Sequence, residues 1–392
     1  MQAGQEVTDI DIRHRGEQGY ALSGTVVSAG DLGAGGASVI LKHPSGATVA
    51  FAFVYGSPAD GTRSFSFEGV ADGDYEVSAA SNFSEKESGA ASAPLRVTVR
   101  GADVTGLRLA LAPLGSIAGR VSFEPLSAAD AKRAECQNLR APVAQESLVF
   151  TRREDGVTSS SPFTWPRESV PDQRGDFAAR NLEPGRYRFA LRLIDDSLFL
   201  RAITLRAADA TPAAATPGAA AAGTNPGANP AGSTQTPAAA ATARAASDLA
   251  RNGFGIRAGE RIAGVQIVIG AGAGALGGRV VPATVGEGLP DALRVHLGPA
   301  ERDRAEDVLR YHETRTRPDG AFSFRNLAPG RYLLVARRIS EGEARAAEPP
   351  RPAAWDAAAR AELRREAEAA KITVELQPCQ RAEDFSLRFG GK

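Results

Sequence analysis

One phrase is written three times in this chain, and that repetition constrains the fold more than composition does. It runs Ser64-Phe65-Ser66-Phe67-Glu68-Gly69-Val70-Ala71-Asp72-Gly73-Asp74-Tyr75, then Asp176-Phe177-Ala178-Ala179-Arg180-Asn181-Leu182-Glu183-Pro184-Gly185-Arg186-Tyr187. The third copy is Ala321-Phe322-Ser323-Phe324-Arg325-Asn326-Leu327-Ala328-Pro329-Gly330-Arg331-Tyr332. A short alternating strand leads into a Pro-Gly or Asp-Gly turn, and a tyrosine opens the next strand. Three copies predict three repeated domains rather than one catalytic fold.

A second phrase frames the first. Val104-Thr105-Gly106-Leu107 is similar to Ile262-Ala263-Gly264-Val265, and each ends a domain. A weaker copy, Ala382-Glu383-Asp384-Phe385, lies near the C-terminus. Each domain opens on a Gly-x-Val strand at Gly24, Gly119 or Gly278. Residues 4–12 carry the closing phrase with no domain before it, so residues 1–18 read as the closing strand of a missing upstream domain plus a connector. The chain is then expected to be the C-terminal piece of a longer protein, or to have a misplaced start.

The layout that follows is sandwich 1 at 19–111, sandwich 2 at 112–269 and sandwich 3 at 270–392. A length of 392 residues suits about two to four domains. In domain 1 the two-residue period of half-buried sheet marks seven strands, among them 37–42, 48–55 and 95–100. Domain 2 is longer because of a polar insert at 127–145, with a short helix expected at 128–136, and an Ala/Pro-rich stretch at 211–246. That stretch cannot bury enough apolar surface to order itself and reads as a disordered surface insertion. In domain 3, 308–314 reads as a strand. The Ala, Arg and Glu content of 353–370 predicts a helix with Trp355, Ala359 and Leu363 on one stripe, anchored across the sandwich edge by Trp355. The glycine-rich run 270–278 reads as a domain hinge.

The repeated residues all have scaffold roles. Phe65 and Phe67, Phe177 and Ala179, and Phe322 and Phe324 stand one strand period apart and face a core. Val70, Leu182 and Leu327 cap that core. Tyr75, Tyr187 and Tyr332 bury a ring and offer a hydroxyl to nearby backbone, as tyrosine corners do.

Taken together, the Gly-x-Val opening, the Gly-x-Phe-x-Phe-x-x-Leu-x-Pro-Gly-x-Tyr core and the alternating closing strand resemble carboxypeptidase regulatory-like domains. These are similar to prealbumin (transthyretin-like) and Cna B-type sandwiches. Domains 2 and 3 match best, through Gly175-Asp176-Phe177 and Gly320-Ala321-Phe322; domain 1 has Arg63 in place of the leading glycine. The resemblance implies an all-β fold of three tandem Ig-like, prealbumin-like, seven-stranded β-sandwiches with one added helix. Relatives accompany peptidases, adhesins, outer-membrane receptors and sugar-binding proteins, mostly outside the cytoplasm. Cna B-type relatives form Lys–Asn crosslinks, for which Lys42 is the one strand lysine here; it reads as an exposed strand lysine.

Chemistry is sparse. With Lys+Arg and Asp+Glu both 46, the chain lacks the basic field a nucleic-acid or anionic-membrane binder needs. No apolar run is long enough to span a membrane. Two cysteines, Cys136 and Cys379, fall in different domains and are expected to stay unpaired as small apolar fillers. The pair His14 and Glu17 has the spacing of a zinc carboxypeptidase motif but lacks a third ligand. His296 and His312 fall on neighbouring strands and read as a solvated or satisfied pair rather than a metal site. The Asp-Gly pairs at 60–61 and 72–73 are turn chemistry, not a calcium site. No catalytic residue, metal or cofactor is expected. The candidate ligand contacts are Phe163 and Trp165, against a plain packing role.

The sequence therefore predicts a non-enzymatic, extracytoplasmic β-sandwich repeat protein, a spacer or adhesion module of the cell envelope whose partner is a surface protein or polysaccharide. The competing expectations are a carbohydrate-binding array and the accessory tail of a larger peptidase or outer-membrane receptor.

Overall fold

The computed structural model describes residues 19–28, 36–55, 63–81, 89–154, 168–206, 247–284, 288–290, 292–340, 343 and 351–390. The expected closing strand at 1–18 and the insert 211–246 lie outside the described residues. Two compact units result: one holds the first sandwich, and the other runs from Gly115 and holds the second and third.

Among the described residues, three large hydrophobic cores each lie between two leaves of sheet, and a small fourth cluster joins Ala80, Ala91 and Leu114. In sandwich 1, the opening strand Tyr20–Ser28 lies between the phenylalanine strand Arg63–Val70 and the closing strand Val104–Pro113. The facing leaf orders Thr48–Val54, Ala37–Lys42, the tyrosine strand Gly73–Ser81 and Leu95–Val99. A two-residue strand, Ala90–Ala91, pairs with both leaves and makes eight strands among the described residues, against the expected seven.

Sandwich 2 repeats the plan with nine strands among the described residues, against the expected seven. Its opening strand Gly115–Glu124 sits between Asp176–Leu182 and Arg261–Ala271, with Leu198–Leu205 and Ser247–Asp248 extending that leaf. Ser147–Arg153 and the tyrosine strand Gly185–Leu193 centre the other leaf. Sandwich 3 has seven strands among the described residues, with Ala321–Leu327, Gly274–Pro282 and Arg381–Phe389 facing a leaf built on Leu293–Pro299 and Gly330–Arg338.

The opening strand is thus antiparallel to the phenylalanine strand and parallel to its own closing strand in all three copies. Each parallel pair is broken by a bulge at Gly106, Gly264 or Asp384, whose φ is 77°, 85° or 62°. The bulge pushes a carbonyl at the opening strand, which explains the Gly-x-Val phrase. A Cβ on Gly24, Gly119 or Gly278 would stand 2.2, 2.3 or 2.1 Å from the carbonyl oxygen of Leu107, Val265 or Phe385.

The phenylalanine strand carries a second bulge. Gly69, Asn181 and Asn326 occupy one position of the phrase, with φ of 72°, 57° and 56°, and the pairing register shifts there in each sandwich. Glycine and asparagine are the residues that tolerate this left-handed conformation. Beyond the bulge, which shifts the two-residue period by one, Val70, Leu182 and Leu327 turn into the cores and cap them as expected.

Four local expectations are corrected. Asp307 accepts the Leu309 amide and caps a 3-10 turn at Val308–Arg310, so the strand starts only at His312. Asp356 accepts the amides of Ala358 and Ala359 and starts the helix at Ala357–Ala370. Trp355 therefore sits in a separate 3-10 turn, Ala353–Trp355, and the helix buries Arg360, Leu363 and Ala367, so Leu363 is the one member of the expected stripe that is buried. The helix expected at 128–136 is two 3-10 turns, Asp130–Lys132 and Ala134–Cys136, with no α-helix. Lys42 is half-buried at the end of its strand and not exposed.

Candidate functional site

The expected ligand contacts Phe163 and Trp165 lie outside the described residues. What is built most deliberately is the tyrosine corner of each sandwich and the joint between sandwiches 2 and 3.

The corners meet the expectation. The hydroxyls of Tyr75, Tyr187 and Tyr332 donate to the carbonyls of Ala71, Glu183 and Ala328, four residues upstream, at 2.9, 2.8 and 2.6 Å. The Tyr187 and Tyr332 rings are fully buried, and burial pushes the Tyr332 phenol up to about 12. A nitrogen-bearing side chain meets each ring, which the sequence did not reveal. His43 meets Tyr75 edge-on at 6.4 Å, Arg153 lies 5.9 Å over Tyr187, and Arg310 lies 5.4 Å over Tyr332.

At the joint, the predicted hinge is a pinned corner. The amides of Gly272 and Ala273 both donate to the Ser197 carbonyl, and the Cys379 amide donates to the Gly272 carbonyl. Gly272 has φ 89°, and a Cβ there would stand 2.5 Å from the Leu126 side chain. Cys136 and Cys379 form a disulfide across 243 residues, which overturns the expectation that they stay unpaired. The polar insert of sandwich 2 carries Cys136, and Cys379 lies in the turn that follows Thr373–Leu376 in sandwich 3. Two cysteines in different domains can meet when those domains pack side by side, a condition no spacing rule reports.

Polar contacts finish the joint. The Asn326 amide donates to the carbonyls of Asp195 and Leu198, so the bulge residue of sandwich 3 reaches backbone of sandwich 2. Arg325 pairs with Asp196 at 3.1 Å. The Trp355 ring receives Arg152 at 5.4 Å and Arg188 at 5.5 Å, both from sandwich 2. Trp355 is thus an anchor, as expected, but between sandwiches. Arg188 is buried, pairs with Glu154 at 2.8 Å and donates to the carbonyls of Ala250 and Arg251. Burial lowers its pKa, against the pull of Glu154. Glu306 of sandwich 3 bridges its own buried Arg360 at 2.6 Å and Arg251 of sandwich 2 at 3.2 Å. The Arg360 hydrogen bond holds the Glu306 carboxyl below its usual range.

Chemistry of other kinds is thin among the described residues. No group of three or more His, Cys, Asp or Glu side chains there is placed to hold a metal ion. His14 lies outside them. His296 is buried and faces Glu313, its strand neighbour, with 3.5 Å between Nδ1 and Oε2. His312 starts the same short strand as Glu313, and its Nε2 is buried without a hydrogen-bond partner. The two histidines flank a void of about 30 Å³. A surface feature the sequence reading passed over lies in sandwich 1: Val49, Phe51, Phe53 and Tyr55 stand exposed on one face of the edge strand Thr48–Val54 and its end. Its signal was plain alternation, with alanines at 50 and 52 turned the other way.

No helix among the described residues is long and apolar enough to cross a membrane. The class these features define is a tandem β-sandwich repeat protein. No family model matches the chain, and no curated protein does. Solved structures similar to it include the TIE protein of Bacillus anthracis, at 12% identity and TM-score 0.20 over 96% of this chain and 51% of that one. Others are the streptococcal ancillary pilin, at 9% and 0.20 over 84% and 93%, and the major pilin subunit of Bacillus cereus, at 9% and 0.20 over 83% and 97%. The chain spans about half the length of the TIE protein. At such scores the likeness carries no weight of its own, and the sandwich assignment rests on the strand pairing and the three cores.

Proposed function

We propose that this chain is a non-enzymatic, extracytoplasmic module of the cell envelope, built from carboxypeptidase regulatory-like sandwiches, that spaces and presents a binding surface to a protein or polysaccharide partner. The Cys136–Cys379 disulfide carries the reading. Disulfides persist in oxidising compartments and are rare in the cytosol. This one joins two sandwiches that already have complete cores of their own, so its service is to hold them as one body. The residues repeated most often are spent on core, bulge and corner, which suits a scaffold and leaves recognition to what differs between copies.

The test is peptide mapping of the native protein, without reduction, from fractionated cells. The expected result is a Cys136–Cys379 linked peptide in the envelope or secreted fraction. Protein found in the cytoplasmic fraction with both thiols free would overturn the reading.

A further inference from the structure

Beside the joint lies a cavity of about 340 Å³, where Phe199 and Arg201 of sandwich 2 face Arg304, Asp307, Arg310 and Ala328 of sandwich 3. That volume falls at the small end of ligand sites, which run from roughly 300 to 1,000 Å³. Its polar wall is mostly cationic. Arg201 is tied to Glu124 at 2.6 Å, so the charge left over comes from the other two arginines. Asp307 and Glu301 offset them from outside the place Glu183 holds: Asp307 Oδ1 accepts the Leu309 amide and Oδ2 stands 3.9 Å from Arg310 Nε, and Glu301 accepts the Arg331 amide.

The repeats themselves show what is missing. In sandwich 2 the arginine over the corner tyrosine, Arg153, is met by a carboxylate, with Nη1 3.0 Å from Glu183 Oε2. Glu183 precedes the Pro-Gly turn, in Asn181-Leu182-Glu183-Pro184-Gly185. The same place in sandwich 3 is Ala328, in Asn326-Leu327-Ala328-Pro329-Gly330. Arg310 is still there over Tyr332. It is 5% exposed, it gives Nη2 to the Pro329 carbonyl, and its Nη1 has no hydrogen-bond partner. A buried donor left unmatched is destabilising, because it has lost water without gaining a partner. Sandwich 3 therefore keeps the arginine, loses the carboxylate, and has a cavity lined by the alanine that replaced it.

We propose that this cavity binds a compact carboxylate such as a sugar acid, whose carboxylate takes the part Glu183 plays in sandwich 2. Arg310 and Arg304 bind the anion, and Phe199, Leu309 and Pro329 pack the body of the ligand. Arginine suits the task because its fork matches the two oxygens of a carboxylate. The inference stands apart from the spacer reading and survives its failure.

The test is calorimetric titration of the full chain with glucuronate, with glucose and inorganic phosphate as comparisons, on wild type, Arg304→Gln and Ala328→Glu. Glucuronate is expected to bind and glucose not, with phosphate weaker than glucuronate. Arg304 is exposed, so Arg304→Gln leaves the fold intact and weakens glucuronate about tenfold or more. Ala328→Glu restores the internal carboxylate: it is expected to abolish glucuronate binding and raise the thermal midpoint. Absent glucuronate binding, equal binding of glucose, tighter binding of phosphate, or undiminished binding to folded Ala328→Glu would each overturn the proposal.

Discussion

Sandwiches 1 and 3 share a plan and differ in what covers it. Both place a pair of phenylalanines in the core, at ring separations of 5.9 and 6.0 Å, and both close on a tyrosine corner. In sandwich 3 the helix Ala357–Ala370 packs on the tyrosine strand and on Leu293–Pro299, burying Leu363 and Ala367. In sandwich 1 the corresponding leaf instead ends in an edge strand whose Phe51, with Tyr55 just past its end, is left at the surface, 60% and 77% exposed. The phrase that repeats specifies an interior, and the segments that do not repeat decide which outer surfaces are covered.

The largest effect should come from the interior both sandwiches share. Gly278→Ala sets a Cβ 2.1 Å from the Phe385 carbonyl oxygen and 2.9 Å from the Phe322 ring. Backbone cannot swing aside as a flexible side chain does, so the strand pair must part, at a cost of about 3 kcal/mol or more. Gly277→Ala is the control, since its Cβ meets nothing nearer than the Ala382 carbonyl at 3.9 Å and should change stability by less than ~0.5 kcal/mol. Gly24→Ala should be as damaging to sandwich 1 as Gly278→Ala is to sandwich 3. Denaturant unfolding of the variants checks both, and a mild Gly278→Ala would break the claim of a common interior.

How much of this could be read from residues follows from the range of each interaction. Phe322 and Phe324, Pro329-Gly330 and Tyr332 are local signals, and the core, turn and corner they predict are present. Asn181 and Asn326 against Gly69 are a local signal too, because asparagine and glycine are the residues that best tolerate left-handed backbone. Gly278 needs its closing strand, about a hundred residues on, before its purpose shows. Cys136 and Cys379 are harder still, since they meet only because two domains pack. Arg310 was hidden inside a stretch that reads as a strand, and the alanine opposite it matters only beside Glu183 of another copy.

Acid should separate the two sandwiches next. Burial pulls His296 from 6.5 down to about 3, with Arg337 and Arg294 adding to the effect, and pulls His312 down to about 4, with Arg310 adding. A histidine depressed in the folded state binds its proton more readily when unfolded. Its contribution is complete above pH 6.5 and is lost as pH falls toward the folded value. At one pKa unit per 1.36 kcal/mol, His296 alone withdraws about 3 kcal/mol from sandwich 3 by pH 4.5. Glu313, raised by burial, works in the opposite sense and trims the slope. The described core of sandwich 1 holds no histidine, and His43 is exposed. Hydrogen exchange followed from pH 7 to 4.5 should show the strand Leu293–Pro299 losing protection before Ala37–Lys42. Loss in the reverse order would mean that a different group controls acid unfolding.

The smallest effects test the covered and uncovered surfaces directly. Leu363→Ala removes a buried side chain from beneath the helix, beside Leu333 and Val335, and should cost about 2 kcal/mol at the low end of such truncations. Phe51→Ala removes a larger side chain from the edge of sandwich 1 and should cost less than about 0.5 kcal/mol, because most of that ring already faces solvent. The inversion of size and cost is the point: contact area decides the outcome, not the volume removed. Thermal unfolding of the two variants against wild type measures it. Should Phe51→Ala prove as costly as Leu363→Ala, the edge of sandwich 1 is covered in the folded protein, and the contrast between the two sandwiches disappears.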